Sequence, residues 1–280
     1  MINEFVKPQM HSYKEMDVPD DDKFKGVDTT RSDFDILNID KNKLSYCIFH
    51  EKAKLDELRD YVIYCHAREG NKLQGLFLRS QFLPEVNVVL FDFIGCGNSQ
   101  GTCVTLGVKE SYDIGLIIAH IKENRKPKSI TLWGRSMGAV SSILYAENSQ
   151  YEKLLKCLIL DSPFLTIDKL AEDVTKNQQY VPSFLINCGM CCVKKDLEEQ
   201  TGSKLGSIDT RESVRKINIP AVYISAKEDK VVLPKRIQTL CQLHFCPKKA
   251  FISTQGGHAD ERDERVIETC VKFIKEILNK

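Results

Sequence analysis

Residues 129–148 read Ser129-Ile130-Thr131-Leu132-Trp133-Gly134-Arg135-Ser136-Met137-Gly138-Ala139-Val140-Ser141-Ser142-Ile143-Leu144-Tyr145-Ala146-Glu147-Asn148. A short apolar run passes through Gly-x-Ser-x-Gly straight into a stretch of helical composition. A serine on a sharp strand-to-helix turn holds its hydroxyl out over the sheet. The glycines two residues to either side remove side chains that would collide in so tight a bend. The helix that follows aims its free N–H groups at any negative charge that forms beside the serine. Ser136 is therefore a candidate nucleophile on a turn of the elbow type.

The same five-residue pattern recurs at Gly97-Asn98-Ser99-Gln100-Gly101, and context separates the two. Before Ser99 the apolar run Val86–Phe93 stops early, and Ile94-Gly95-Cys96 intervenes. After it, Thr102-Cys103-Val104-Thr105 is a poor helix start, because β-branched residues lose side-chain freedom in a helix. Helical patterning resumes only near Leu106. Ser99 reads as part of a glycine-rich strand-to-helix loop.

Outward from the elbow, continuous apolar runs occur at Tyr61–Cys65, Val86–Phe93, Ile130–Trp133, Cys157–Leu160, Ala221–Ser225 and Ala250–Ser253. Such runs suit a parallel sheet covered on both faces. Helical stripes lie between them, notably Val108, Ile114, Ile117, Ile118 and Ile121, and the broad face Val266 to Leu278 near the end; both read as core contacts. Two further strands, Ser32–Ile39 and Leu44–Phe49, precede the series and are joined by the turn Asp40-Lys41-Asn42-Lys43. The expected fold is α/β: a mostly parallel sheet of about eight strands, the first two antiparallel, flanked by helices. Residues 1–31, polar and carrying Asp20-Asp21-Asp22, read as an N-terminal arm, and residues 32–280 as one domain. Leu165–Ile208 is longer than a usual crossover and is expected to form a small helical cap.

Composition narrows the function. Forty basic against thirty-nine acidic residues give a formal charge of +1, which offers nothing toward nucleic-acid binding. Eleven cysteines, an odd count scattered through predicted strands and helices, read as reduced thiols in a cytoplasmic protein. Met1–Met10 is polar and lacks the apolar core of a secretion signal, and no run of apolar residues is long enough to span a bilayer. Neither end carries a myristoylation or prenylation signature, so peripheral membrane contact through a lipid would have to use an internal cysteine. Cys188, Cys191 and Cys192 invite that reading, or a zinc one. They lack a second ligand pair at usual spacing, and apolar cysteines in a cap helix are the preferred reading.

A serine hydroxyl needs a base, usually histidine, and the histidine a carboxylate that fixes its tautomer. Of six histidines, only His258 follows the final strand, in a loop containing Gly256-Gly257 at the strand-end edge where catalytic groups of open α/β sheets collect. The acid is expected just after the strand Ala221–Ser225, where Asp229 is preferred to Glu228 for its shorter side chain. Asp161, directly after Cys157–Leu160, is the rival acid, although Asp161-Ser162-Pro163 reads as a turn. The two N–H donors for an oxyanion are expected to be Met137, next to the nucleophile, and Arg68, in the loop after Tyr61–Cys65.

With these residues in view, the chain from about Phe34 onward resembles the α/β-hydrolase superfamily, in its intracellular serine aminopeptidase-like or esterase/acyl-protein-thioesterase-like branch. The resemblance rests on Tyr64-Cys65-His66, on Phe91 to Gly101, on Trp133 to Gly138, on Asp161-Ser162-Pro163-Phe164, and on Asp229 and Gly257-His258. It implies Ser136 as nucleophile, Asp229 as acid and His258 as base, and it places Ser99 in the family's Asp-x-x-Gly-x-Gly-x-Ser-x-Gly loop. Where the family usually has His-Gly-Asn in the oxyanion loop, this chain has His66-Ala67-Arg68. Alanine tolerates positive φ poorly, so that loop is expected to take a different backbone path. Arg68 is expected to close the site or to favour an acidic group on the substrate. The expected activity is hydrolysis of an ester or thioester of a small or acylated substrate through an acyl-enzyme, with neither metal nor cofactor. A peptidase and a non-catalytic binding protein of the same fold are the alternatives.

Overall fold

The parallel part of the sheet brings its strand ends to one level, and that edge is where the candidate residues meet. The computed structural model describes residues 13–14, 17–52, 54–176, 195, 198–199 and 202–279. In chain order the strands are β1 (Asp22–Phe24), β2 (Val27–Leu37), β3 (Lys43–Glu51), β4 (Arg59–Cys65), β5 (Asn87–Phe91), β6 (Pro127–Arg135), β7 (Leu155–Asp161), β8 (Ala221–Ala226) and β9 (Lys249–Thr254). The helices are α1 (Leu78–Phe82), α2 (Val108–Asn124), α3 (Met137–Asn148), α4 (Ile167–Lys176), α5 (Thr210–Lys216), α6 (Pro234–Leu243) and α7 (Glu264–Leu278).

The sheet order is β1-β2-β3-β5-β4-β6-β7-β8-β9. The pairs β1/β2, β2/β3 and β3/β5 are antiparallel, and every pair from β5 to β9 is parallel. Alternate strand residues point to opposite faces, so each central strand feeds two cores. On one face Tyr46, Ile63, Leu132 and Leu160 pack with Ile114 and Ile118 of α2, Val140 and Ile143 of α3, and Ile237 and Leu240 of α6. On the other, Phe49, Val62, Trp133, Ile159 and Val222 pack with Leu78 and Phe82 of α1 and Val266 and Ile274 of α7.

The register sets the active edge. Cys65 pairs with Gly134, Arg135 with Asp161, Asp161 with Ile224, and Ala226 with Thr254. The loops after β4, β6, β7, β8 and β9 therefore emerge side by side. Those loops carry Arg68, Ser136, Ser162, Asp229 and His258.

Two expectations change. Residues 1–31 are not wholly an arm: β1 lies within them, and β2 begins at Val27 rather than at Ser32. This stretch pairs through its backbone while carrying polar side chains, so it offers no apolar alternation to read. The largely covered Arg31 side chain donates to the Val18 carbonyl and pairs with Asp20 and Asp33. Of the expected cap, α4 and the turn Leu205–Ser207 are described. Residues 177–194 of it, with Cys188, Cys191 and Cys192, lie outside the described residues. Among the described residues no helix is long and apolar enough to cross a membrane.

Candidate active site

Ser136 sits between β6 and α3 at φ 50°, a left-handed conformation that costs a non-glycine residue about 1–3 kcal/mol and persists only where the surroundings enforce it. Its backbone N–H donates to the Asp161 carbonyl at 2.7 Å, which pins the turn to the end of β7. Space explains the flanking glycines. A Cβ on Gly134 would stand 2.5 Å from the Gly138 carbonyl oxygen, and one on Gly138 would stand 2.0 Å from the Cys65 carbonyl oxygen. The start of α3 thus lies directly on the chain leaving β4, the loop that carries Arg68.

The three sequence candidates for a triad come together. Ser136 Oγ is 2.9 Å from His258 Nε2, and His258 Nδ1 is 2.7 Å from Asp229 Oδ2. Asp229 is fully buried, and its other oxygen accepts the N–H groups of Val231 and Val232, each at 2.8 Å. An ionised carboxylate is acceptor-only, so Nδ1 carries the proton toward Asp229 and Nε2 is left to accept from the serine hydroxyl. The acid loop is braced by the cap helix: Arg236 at the start of α6 forks onto the buried Asp173 of α4, at 2.7 Å and 3.0 Å.

The two rivals take other roles. Asp161 is engaged by Arg262, whose Nε and Nη2 lie 2.9 Å and 3.0 Å from its two carboxylate oxygens. Ser99 is buried and donates to the Asp92 carbonyl at 2.6 Å while accepting the Ser45 N–H at 2.9 Å. The buried Asp92 carboxylate gathers the N–H groups of Lys72 and Asn98 and the Tyr13 hydroxyl, at 2.7, 3.0 and 2.6 Å. The second Gly-x-Ser-x-Gly is therefore a knot that shapes the loop beside the site.

Met137 is the first residue of α3, so its N–H has no acceptor within the helix. The loop expected to supply the second donor is set by His66, a residue the sequence reading left without a role. His66 Nδ1 lies 2.7 Å from the Ala67 carbonyl, and its Nε2 accepts the Phe93 N–H at 3.0 Å. Accepting an N–H requires the neutral ring, and burial indeed pushes the His66 pKa below its ordinary value. Ala67 is not among the residues with positive φ. Alanine is thus unstrained there. The Arg68 side chain pairs with Glu69. Burial pushes the thiol of the nearby Cys65 up to about 12, which removes it as a competing nucleophile. Among the described residues no group of three or more His, Cys, Asp or Glu side chains is placed to hold a metal ion.

The whole chain, not only the site, has a counterpart among solved structures. The esterase Pf2001 of Pyrococcus furiosus superposes with a TM-score of 0.71 at 21% identity, over 98% of this chain and 98% of that one. The chain has the α/β-hydrolase fold. A family model described as serine aminopeptidase, S33, matches residues 79–203, a stretch that includes Ser136 and ends before Asp229 and His258. Relatives by sequence include the protein YqkD of Bacillus subtilis (strain 168), 25% identical over 71% of this chain. The matched stretch spans 64% of the length of that relative. The protein YfhR of Escherichia coli (strain K12) is 25% identical over 78% of this chain and 71% of its own. These matches agree with the superfamily that the sequence motifs resemble.

Proposed function

We propose that this α/β-hydrolase-fold chain is a serine hydrolase that cleaves an ester or thioester bond through Ser136, His258 and Asp229. The observation that carries the reading is the unbroken line of two hydrogen bonds, 2.9 Å and 2.7 Å, from a strained serine to a buried carboxylate. His258 Nε2 takes the hydroxyl proton as Ser136 Oγ bonds to the carbonyl carbon. The oxyanion so formed accepts the N–H groups of Met137 and Arg68. The bond to the leaving oxygen or sulfur then breaks, and that atom departs with the proton from His258. Water repeats the sequence on the acyl-enzyme, returning the serine and releasing the acid.

The family description favours one second reading, an aminopeptidase using the same groups on an amide. Acyl esters compared with aminoacyl amides as substrates separate the two. The described cysteines all carry free thiols, which supports a reducing compartment, the cytoplasm, as the place of action. Labelling with a fluorophosphonate tests the serine assignment. The wild-type chain and Ser99→Ala are expected to label and Ser136→Ala to stay unlabelled. A folded wild-type chain that does not label, or labelling that survives Ser136→Ala, refutes it.

A further inference from the structure

Asp229 restrains the His258 imidazole, but the backbone carrying that ring needs a restraint of its own. Gly256 has φ +84°, and Gly256-Gly257 lead directly into His258, so the chain is freest just where the base is attached. One local bond, from the Gly257 N–H to Asp260 Oδ2 at 2.7 Å, shapes the turn. The Gly256 carbonyl accepts the Glu228 N–H at 3.0 Å, and two guanidinium groups hold the carbonyls that follow. Arg262 Nη1 donates to the carbonyls of Gly257 and Asp260, each at 3.0 Å. Arg135 Nη2 donates to the carbonyls of His258 and Asp260 at 2.9 Å and 2.6 Å.

Both guanidinium groups meet one carboxylate. Arg262 forks onto Asp161, and Arg135 Nε lies 3.8 Å from Asp161 Oδ2. The Asp161 side chain is 3% exposed and that of Arg262 6%. A buried carboxylate and guanidinium persist only when each is matched in charge and hydrogen bonds, so neither is free to move without the other. Asp161 also accepts the backbone N–H of Ser136 through its own carbonyl. A single residue thus holds the nucleophile from one side and the loop of the base from the other.

We infer that Arg262 and Arg135, anchored together on Asp161, are positioning residues that set His258 against Ser136 and Asp229. The geometric part of this inference stands by itself; its kinetic consequence rests on the hydrolase reading above. Lysine keeps the charge opposite Asp161 but has no planar fork to bond a carboxylate and loop carbonyls together. Release of the loop by about 1 Å is enough to cost roughly 10²-fold in rate, because proton transfer and attack both depend on alignment.

The test uses the full chain as wild type, Arg262→Lys, Arg135→Lys and the charge-neutral pair Asp161→Asn with Arg262→Gln, and has two readouts. The first is the far-downfield proton resonance of His258 Nδ1–H, identified by its loss in His258→Gln. The second is the rate constant for fluorophosphonate labelling of Ser136, per molecule folded by circular dichroism. Folded Arg262→Lys is expected to lose or broaden the resonance and to label about 30- to 100-fold more slowly. Arg135→Lys, whose contact with Asp161 is the longer one, shows the same changes to a smaller degree and carries the test should Arg262→Lys not fold. A resonance and a per-molecule rate that stay at wild-type values while only the melting temperature falls mean a purely structural ion pair, and overturn the inference. A wild-type chain that shows the resonance but does not label refutes the hydrolase reading instead, and the resonance in the variants still decides the positioning role.

Discussion

His66 and His244 are buried as neutral rings, each fixed between a donor and an acceptor. His244 Nδ1 accepts the Tyr223 hydroxyl at 2.7 Å and its Nε2 donates to the Ile219 carbonyl at 3.0 Å. Burial lowers both pKa values from 6.5, that of His244 to about 4. The folded protein therefore binds fewer protons than the unfolded chain once the pH drops below 6.5, so stability falls with pH and levels off only where the folded rings protonate. His244 alone is expected to remove about 2–3 kcal/mol between pH 7.5 and pH 4.5. Urea unfolding of wild type and His244→Gln at the two pH values checks this: the variant should show a loss smaller by that amount, and an equal loss would contradict it. At this scale the meeting of Ser136, Asp229 and His258 was legible because chain order and strand ends limit what can follow the elbow. Arg262 gave no signal, since a charged loop residue near the C-terminus looks the same whether it solvates a surface or forks onto Asp161. His66 was visible only as part of a motif. Its role depends on the Phe93 N–H, which no spacing rule links to it.

Between elements, the contact that matters most is that of α3 with the end of β4. Gly138 permits it, and alanine there would bring a Cβ against the Cys65 and His66 carbonyls, backbone groups that cannot swing aside. Gly138→Ala is expected to destabilise the protein by about 1–3 kcal/mol and, by parting Met137 from the Arg68 loop, to slow ester hydrolysis more than the stability loss explains. Urea unfolding alongside kcat separates the two effects, and a variant with wild-type values of both would show that the close approach is dispensable. Strand and helix order was readable from apolar runs, and β2 to β9 answer to the eight expected strands. β1 was not, because three residues paired only to Val27, Asp28 and Thr29 carry no apolar pattern. The twin elbow at Ser99 was set aside on its β-branched continuation, and the Asp92 knot supplies the physical reason. A serine whose hydroxyl is spent on two backbone groups inside the fold is not available to a substrate.

For the molecule as a whole, the parallel register does the assembling. Parallel strands ending together carry the loops of Arg68, Ser136, Asp229 and His258 to one edge, while both sheet faces are sealed by helices. Chemistry at such an edge is set by its loops, so the fold alone leaves the choice of ester, thioester or amide to the groups around Ser136. The proposed hydrolase chemistry requires that Ser136 become acylated. Its most direct test is to mix the chain with p-nitrophenyl acetate, quench in acid before steady state, and locate the acyl group by peptide mass spectrometry. An acetyl group is expected on Ser136 in the wild type and none at that position in Ser136→Ala or His258→Gln. Ester consumption by the wild-type chain with Ser136 unmodified, or an acetyl group found instead on another side chain, would contradict it.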